Sequence, residues 1–167
     1  MSKTAKTKGP SRTQAACHPD RTLIDTALAY WSVQDVEQTL GLFSDDIVYQ
    51  LYICQSALPF GGETRGKEAV RTMLYDILAQ FDYVSYEPAI LGVKDGVARI
   101  QTRYVMRHRA SEEELSGSKR FVCTIKDGLI TLIVEYHDAP LVEAFMRLAN
   151  WRLDQKATAE RMLRMRE

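Results

Sequence analysis

No stretch of this sequence approaches the roughly 18–20 consecutive apolar residues that a membrane-spanning helix requires, and its N-terminus lacks the apolar core of a secretory signal. An excess of charge of one sign is missing too. Lys and Arg number 22, as do Asp and Glu, so no global field favours nucleic acid or an anionic membrane. Cysteine is scarce: Cys17, Cys54 and Cys123 are odd in number and contain no close-spaced pair. That argues against a disulfide framework or a zinc site and fits a reducing cytoplasm. The histidines, His18, His108 and His137, show no metal-ligand spacing with acids, so no metal is expected. No internal repeat or low-complexity segment is present. What remains is ordinary for a globular protein, 46% hydrophobic and 26% charged, and 167 residues suit one domain with a single core.

Residues 1–20, rich in Lys, Thr and Ser without periodicity, read as a disordered basic tail. The alternative is a docking arm for an acidic partner. The domain proper is read as 21–150. Its first helix carries an apolar stripe of Leu23, Ile24, Ala27, Leu28 and Trp31. Asp35 with Gln38 resembles a capping box for a short second helix. Residues 47–54, "IVYQLYIC", read as a strand, and a loop marked by Pro59 and glycines 61, 62 and 66 follows. Val70, Met73, Leu74, Ile77, Leu78 and Phe81 then repeat at helical spacing. Three or four antiparallel strands come next, divided by "KDG" at 94–96, a polar tip at 110–118 and a second "KDG" at 126–128. Pro140 opens a last helix, and the charged residues 151–167 are read as its helical extension. Helices segregated from a curved antiparallel sheet define an α+β fold: a cone-shaped (cystatin-like) α+β barrel closed by N-terminal helices, with an added C-terminal helix. A cone leaves a cavity.

Strand alternation sorts the side chains between the two faces. In "VARIQTRYVMRH", Arg99, Gln101, Arg103 and Arg107 share one face, and such groups do not share a dry core. Ala98, Ile100, Thr102, Tyr104 and Met106 therefore look inward. So do Phe121, Cys123 and Ile125, and, from the first strand, Tyr49, Leu51 and Ile53. The last strand, "LITLIVEYHD", is apolar on both faces at its start, and alternation alone does not orient Glu135 and His137.

"DVEQTLGLFSDDIVYQ" (35–50), "GKEAV" (66–70) and "KDGLITLIVEYHDAP" (126–140) resemble the SnoaL-like polyketide cyclases of the nuclear-transport-factor-two-like superfamily. The resemblance implies a cone with the active pocket inside, often in a dimer, and places Glu135 and His137 on the cavity side. The same segments are similar to limonene epoxide hydrolase in part. That resemblance sets a tyrosine on Tyr49 and an acid on Glu135. It also puts Leu51 where an asparagine holds the water, and Thr102 and Tyr104 where an arginine and an aspartate belong, unless the strand slips by one residue and offers Arg103. Ketosteroid isomerase matches worse, with Leu51, Phe121 and Ala27 at its functional positions.

A carboxylate walled by Trp31, Leu51, Ile53, Phe121 and Ile133 is expected to be poorly solvated, its pKa raised toward working pH, and so suited to general acid–base chemistry. Tyr49 and Tyr104 are expected to donate to a developing enolate oxygen. Thr102, Cys123 and His137 complete the pocket, with Cys123 a small apolar neighbour, His137 at the rim and His108 in solvent. One reading is a cofactor-independent cyclase, isomerase or lyase using Glu135, Tyr49 and Tyr104 on an apolar carbonyl compound. A second is a binding module for an apolar small molecule, with Glu135 a structural acid. A third is an epoxide hydrolase with an altered site. The arginine-bearing face is expected to be a salt-bridged sheet surface, with the face of a homodimer or an anion-binding patch as the alternatives.

Overall fold

A computed structural model describes residues 19–165. The reading of a disordered tail therefore falls, apart from Pro19 and Asp20, outside the described residues. The elements run α1 (Pro19–Ser32), α2 (Val36–Leu40), β1 (Phe43–Tyr52), β2 (Gly62–Arg65), α3 (Lys67–Gln80), β3 (Phe81–Lys94), β4 (Val97–His108), β5 (Glu114–Lys126), β6 (Leu129–His137) and α4 (Ala139–Arg164). Six strands form one sheet in the order β2-β1-β6-β5-β4-β3. Every pairing is antiparallel but one: β1 lies parallel to β6, because the chain returns to it only after the whole β3–β6 meander. With the helices against it, the sheet makes the expected α+β cone, curved but not closed.

Local chemistry accounts for the elements. The Asp35 carboxylate caps α2 by accepting from the Gln38 amide at 3.0 Å. Both "KDG" turns place Asp and Gly at positive φ (Asp95 50°, Gly96 71°; Asp127 51°, Gly128 76°), the two-residue hairpin geometry that matches strand twist. At Gly96 a side chain is excluded outright, since a Cβ would lie 2.8 Å from the Ile125 carbonyl oxygen. Register shifts leave an extra residue in β3 at Val84 and at Leu91, and one in β6 at Thr131, bulges that bend the sheet. The expected loop at 59–66 contains β2, whose four residues alternate too weakly to announce a strand. The first strand begins at Phe43 rather than residue 47, because the acidic pair Asp45–Asp46 faces solvent at an irregularity in its pairing with β6.

The inner face of the sheet follows the expected alternation. Ala98, Ile100, Thr102, Tyr104 and Met106 are buried, while Arg99, Gln101, Arg103 and Arg107 are exposed. Helix α1 lays Ile24 and Ala27 into the cone, with Leu23, Leu28 and Trp31 packed at its edge. Asp138 caps α4, and Val142, Phe145, Met146 and Ala149, spaced at three and four, bury one stripe of it. Beyond Ala149 the helix continues without a buried residue and is tied to the β4–β5 turn by Arg152 and Glu113 at 2.9 Å. Among the described residues no helix is long and apolar enough to cross a membrane.

Candidate functional site

Under α1 the cone encloses an apolar cavity of about 60 Å³, walled by Trp31, Tyr49, Tyr86, Phe121, Cys123 and Ile133 among others. Five residues expected at the pocket do line it: Trp31, Tyr49, Phe121, Cys123 and Ile133. Leu51, Ile53 and Thr102 are buried inside the cone but not on this wall. Glu135, Tyr104 and His137 lie beyond it, in a polar cluster behind Tyr49.

The β-sheet register assembles that cluster. Lys119 on β5 is opposite His137 on β6, and Phe121 is opposite Glu135, so alternation sets all four on the inner face. On the other side of β6, Leu51 of β1 pairs with Glu135, which brings Tyr49, two residues earlier, onto the same inner face. The Glu135 carboxylate is 4% exposed and has three partners. Lys119 Nζ stands 2.8 Å from Oε1, His137 Nε2 stands 2.7 Å from the same oxygen, and the Tyr49 hydroxyl donates to Oε2. Behind them, His137 Nδ1 lies 3.3 Å from the Tyr104 hydroxyl. With Glu135 ionised, His137 donates to it through Nε2, and the other ring nitrogen, Nδ1, faces the Tyr104 hydroxyl. Tyr104 reaches that position across β5 because its opposite residue is Gly117; a Cβ there would sit 2.8 Å from the Tyr104 hydroxyl.

Lys119 is the residue that sequence reasoning missed. It is 4% exposed, donates to the Tyr83 hydroxyl at 3.2 Å, and stands among the rings of Phe121, Tyr83, Tyr86 and Tyr104 at 5.0–5.7 Å from their centroids. Such distances are those of cation–π contacts. The signal was present: Lys119 has the parity of Phe121 and Cys123. A lysine beside Arg120 near a polar turn reads as a solvated strand end, and its partner lies 16 residues away.

Three expectations are corrected by this geometry. His137 is not at the rim, since its side chain is only 6% exposed. His108 is buried rather than solvated: it packs on Phe81, contacts Ser111 Oγ at 2.9 Å, and burial lowers its pKa. The third concerns Glu135 itself. Burial pushes its carboxyl up, but the charge of Lys119 and the hydrogen bond and charge of His137 outweigh burial and hold it well below the usual carboxylate range. Burial alone would neutralise Lys119; the Glu135 charge overrides it and keeps the ammonium protonated above its usual range. Tyr49 is raised well above an ordinary phenol by burial and then by the adjacent carboxylate, and Tyr104 is pushed up to about 12, chiefly by burial. Burial also pushes the Cys123 thiol up to about 12, which makes it a poor nucleophile. Among the described residues no three His, Cys, Asp or Glu side chains converge on a possible metal position.

The chain is thus a half-open α+β cone with an apolar chamber and a buried cluster of ionisable side chains behind it. The SnoaL-like domain model matches residues 24–133, and the chain belongs to that family. A comparison with curated proteins finds no match. Among solved structures, the chain is similar to a candidate isomerase from Rhodopseudomonas palustris, at 17% identity and TM-score 0.65 over 77% of this chain and 96% of that one. It is also similar to a candidate polyketide cyclase from Silicibacter sp. TM1040, at 14% identity and TM-score 0.66 over 77% and 93%. A third similar structure is TerC, co-crystallised with polyporic acid, at 15% identity and TM-score 0.65 over 80% and 99%.

Proposed function

We propose that the protein is a cofactor-independent acid–base enzyme of the cyclase, isomerase or lyase type, acting on an apolar carbonyl compound held in the cone. The observation that carries this reading is the buried Lys119–Glu135–His137 cluster with Tyr49 between it and the cavity. Apolar residues of similar volume would be at least as stable in that place, so stability alone does not account for the charges. Strongly shifted pKa values beside a cavity accord with chemistry there.

In this reading Glu135 is the proton acceptor, reached from the cavity past the Tyr49 hydroxyl. Its proton affinity is low while Lys119 faces it and rises when that ammonium turns elsewhere. His137 and Tyr104 hold the carboxylate from the far side. The Tyr49 hydroxyl proton is already engaged by Glu135, so Tyr49 is not the ready oxyanion donor that the sequence suggested, and the Tyr104 hydroxyl lies against His137 Nδ1.

The second reading, a binding module without chemistry, is favoured by the cavity's size. About 60 Å³ is roughly two waters' worth of space, against about 300–1,000 Å³ for typical ligand sites. A ligand therefore displaces wall side chains, of which Leu28, Trp31 and Tyr86 are the partly exposed ones. Solvent-deuterium exchange separates the readings. A panel of apolar enolisable ketones is incubated with the protein in deuterated water and followed by NMR. The acid–base reading predicts exchange of α-protons. Glu135→Asp, which keeps Lys119 paired but moves the carboxylate by about 1 Å, should slow exchange by about 100-fold with little change in binding. Ketones that bind without exchanging would establish the second reading, and a Glu135→Asp variant at full rate would remove Glu135 as the base.

A further inference from the structure

We infer that Lys119, with Thr102 and Tyr86, forms a subsite for an anionic oxygen, so that the cone's ligand is an apolar molecule bearing an enol or phenol that ionises on binding. This inference rests on the acid–base reading of the same cluster and names the substrate class it implies.

The first argument is valence. An ammonium has three donors. Among the described residues, those of Lys119 go to Glu135 Oε1 at 2.8 Å and the Tyr83 hydroxyl at 3.2 Å. Around the remaining donor stand aromatic rings, and two of them, Tyr86 and Phe121, also line the cavity. The ammonium is thus one ring's width from the ligand space. The second argument is Thr102, which is opposite Lys119 across β4 and β5 and fully buried. Its hydroxyl has Tyr86 as a polar neighbour but no partner in hydrogen-bonding geometry. A buried hydroxyl is normally paired, and a ligand oxygen here would pair it.

The third argument is conservation of charge. The closed site holds one carboxylate and one ammonium. When a proton leaves the ligand's α-carbon or enol oxygen for Glu135, the electron pair it leaves behind settles on the ligand oxygen. Glu135 becomes neutral and the oxygen becomes the anion. The buried net charge is unchanged, and Lys119 turns from one partner to the other. An added anion without this transfer would leave an uncompensated charge in a dry site, which is strongly disfavoured.

The test uses 4-nitrophenol, whose phenolate absorbs in the visible, titrated into the full-length protein at a pH below the dye's own pKa. The subsite predicts that dye bound to the wild type shows the phenolate band. Lys119→Met should reduce the site's preference for phenolate over phenol by about 10- to 100-fold, the worth of one charged hydrogen bond. Thr102→Val, which keeps the side-chain shape, should reduce it by about 3- to 10-fold and provides the answer if Lys119→Met does not fold. Dye bound as neutral phenol, or a preference unchanged in both variants, overturns the inference. Dye that does not bind at all removes the ligand pocket and the inference together. Bound phenolate in a protein that exchanges no ketone protons keeps the subsite and removes the catalytic reading.

Discussion

Two ion pairs in one sheet, one inside the cone and one outside, show what this fold does with charge. Arg103 and Glu87 face each other across β4 and β3 on the outer surface, 3.2 Å apart and 79% and 62% exposed. Lys119 and Glu135 meet on the inner face at 2.8 Å, each 4% exposed. The geometries are similar and the surroundings are opposite. Outside, water screens both charges and the pair contributes about 0–1 kcal/mol. Inside, neither charge is tolerable without the other, and the hydrogen bonds of His137, Tyr49 and Tyr83 complete what the ion pair begins. The outer pair decorates a surface, whereas each member of the inner pair depends on the other.

The sharpest break of this comparison is to remove one inner partner. Lys119→Met strands an ionised carboxylate and should cost about 3–5 kcal/mol in urea denaturation. The double variant Lys119→Met/Glu135→Leu should recover most of that loss, because apolar replacement of both charges removes the desolvation penalty.

A smaller effect comes from pH. Glu135 has its pKa depressed in the folded protein, so its contribution is present above the unfolded glutamate value of about 4.3 and is lost as pH falls below it. Lys119 and Tyr49 are raised, so theirs is present below about 10 and is lost as pH rises beyond the unfolded values. Thermal melts should show a plateau between about pH 5 and 9 with falls on both sides, and the double variant should flatten both shoulders. The smallest effect belongs outside. Arg103→Ala should change stability by no more than about 1 kcal/mol and weaken further in significance as salt is added.

The cone and the facing of its strands were legible because they rest on local rules. The "KDG" turns, the Asp35 cap and the row Arg99, Gln101, Arg103, Arg107 each state their structure within a few residues. The site was legible only in part. Glu135, Tyr49 and Tyr104 were found by parity and resemblance, and all three are buried in one network. The sign of the Glu135 pKa shift was not found, because it depends on Lys119, which only the β5–β6 register brings to it. His137 was misplaced for a related reason. A histidine at a strand end looks exposed until Glu135 on its own strand, the lysine opposite it and a glycine-admitted tyrosine are known to surround it. β2 was missed because four residues with alternating half-burial carry almost no periodic signal.

The central claim is that Lys119 keeps Glu135 ionised in a dry cluster. Carbon-13 NMR of glutamate-labelled protein, following each side-chain carboxyl as acid is added, tests it directly. The account predicts one carboxyl, assigned by its absence in Glu135→Asp, that stays ionised well below the pH at which the surface glutamates protonate. A Glu135 signal that titrates with the others, or above them, would contradict it.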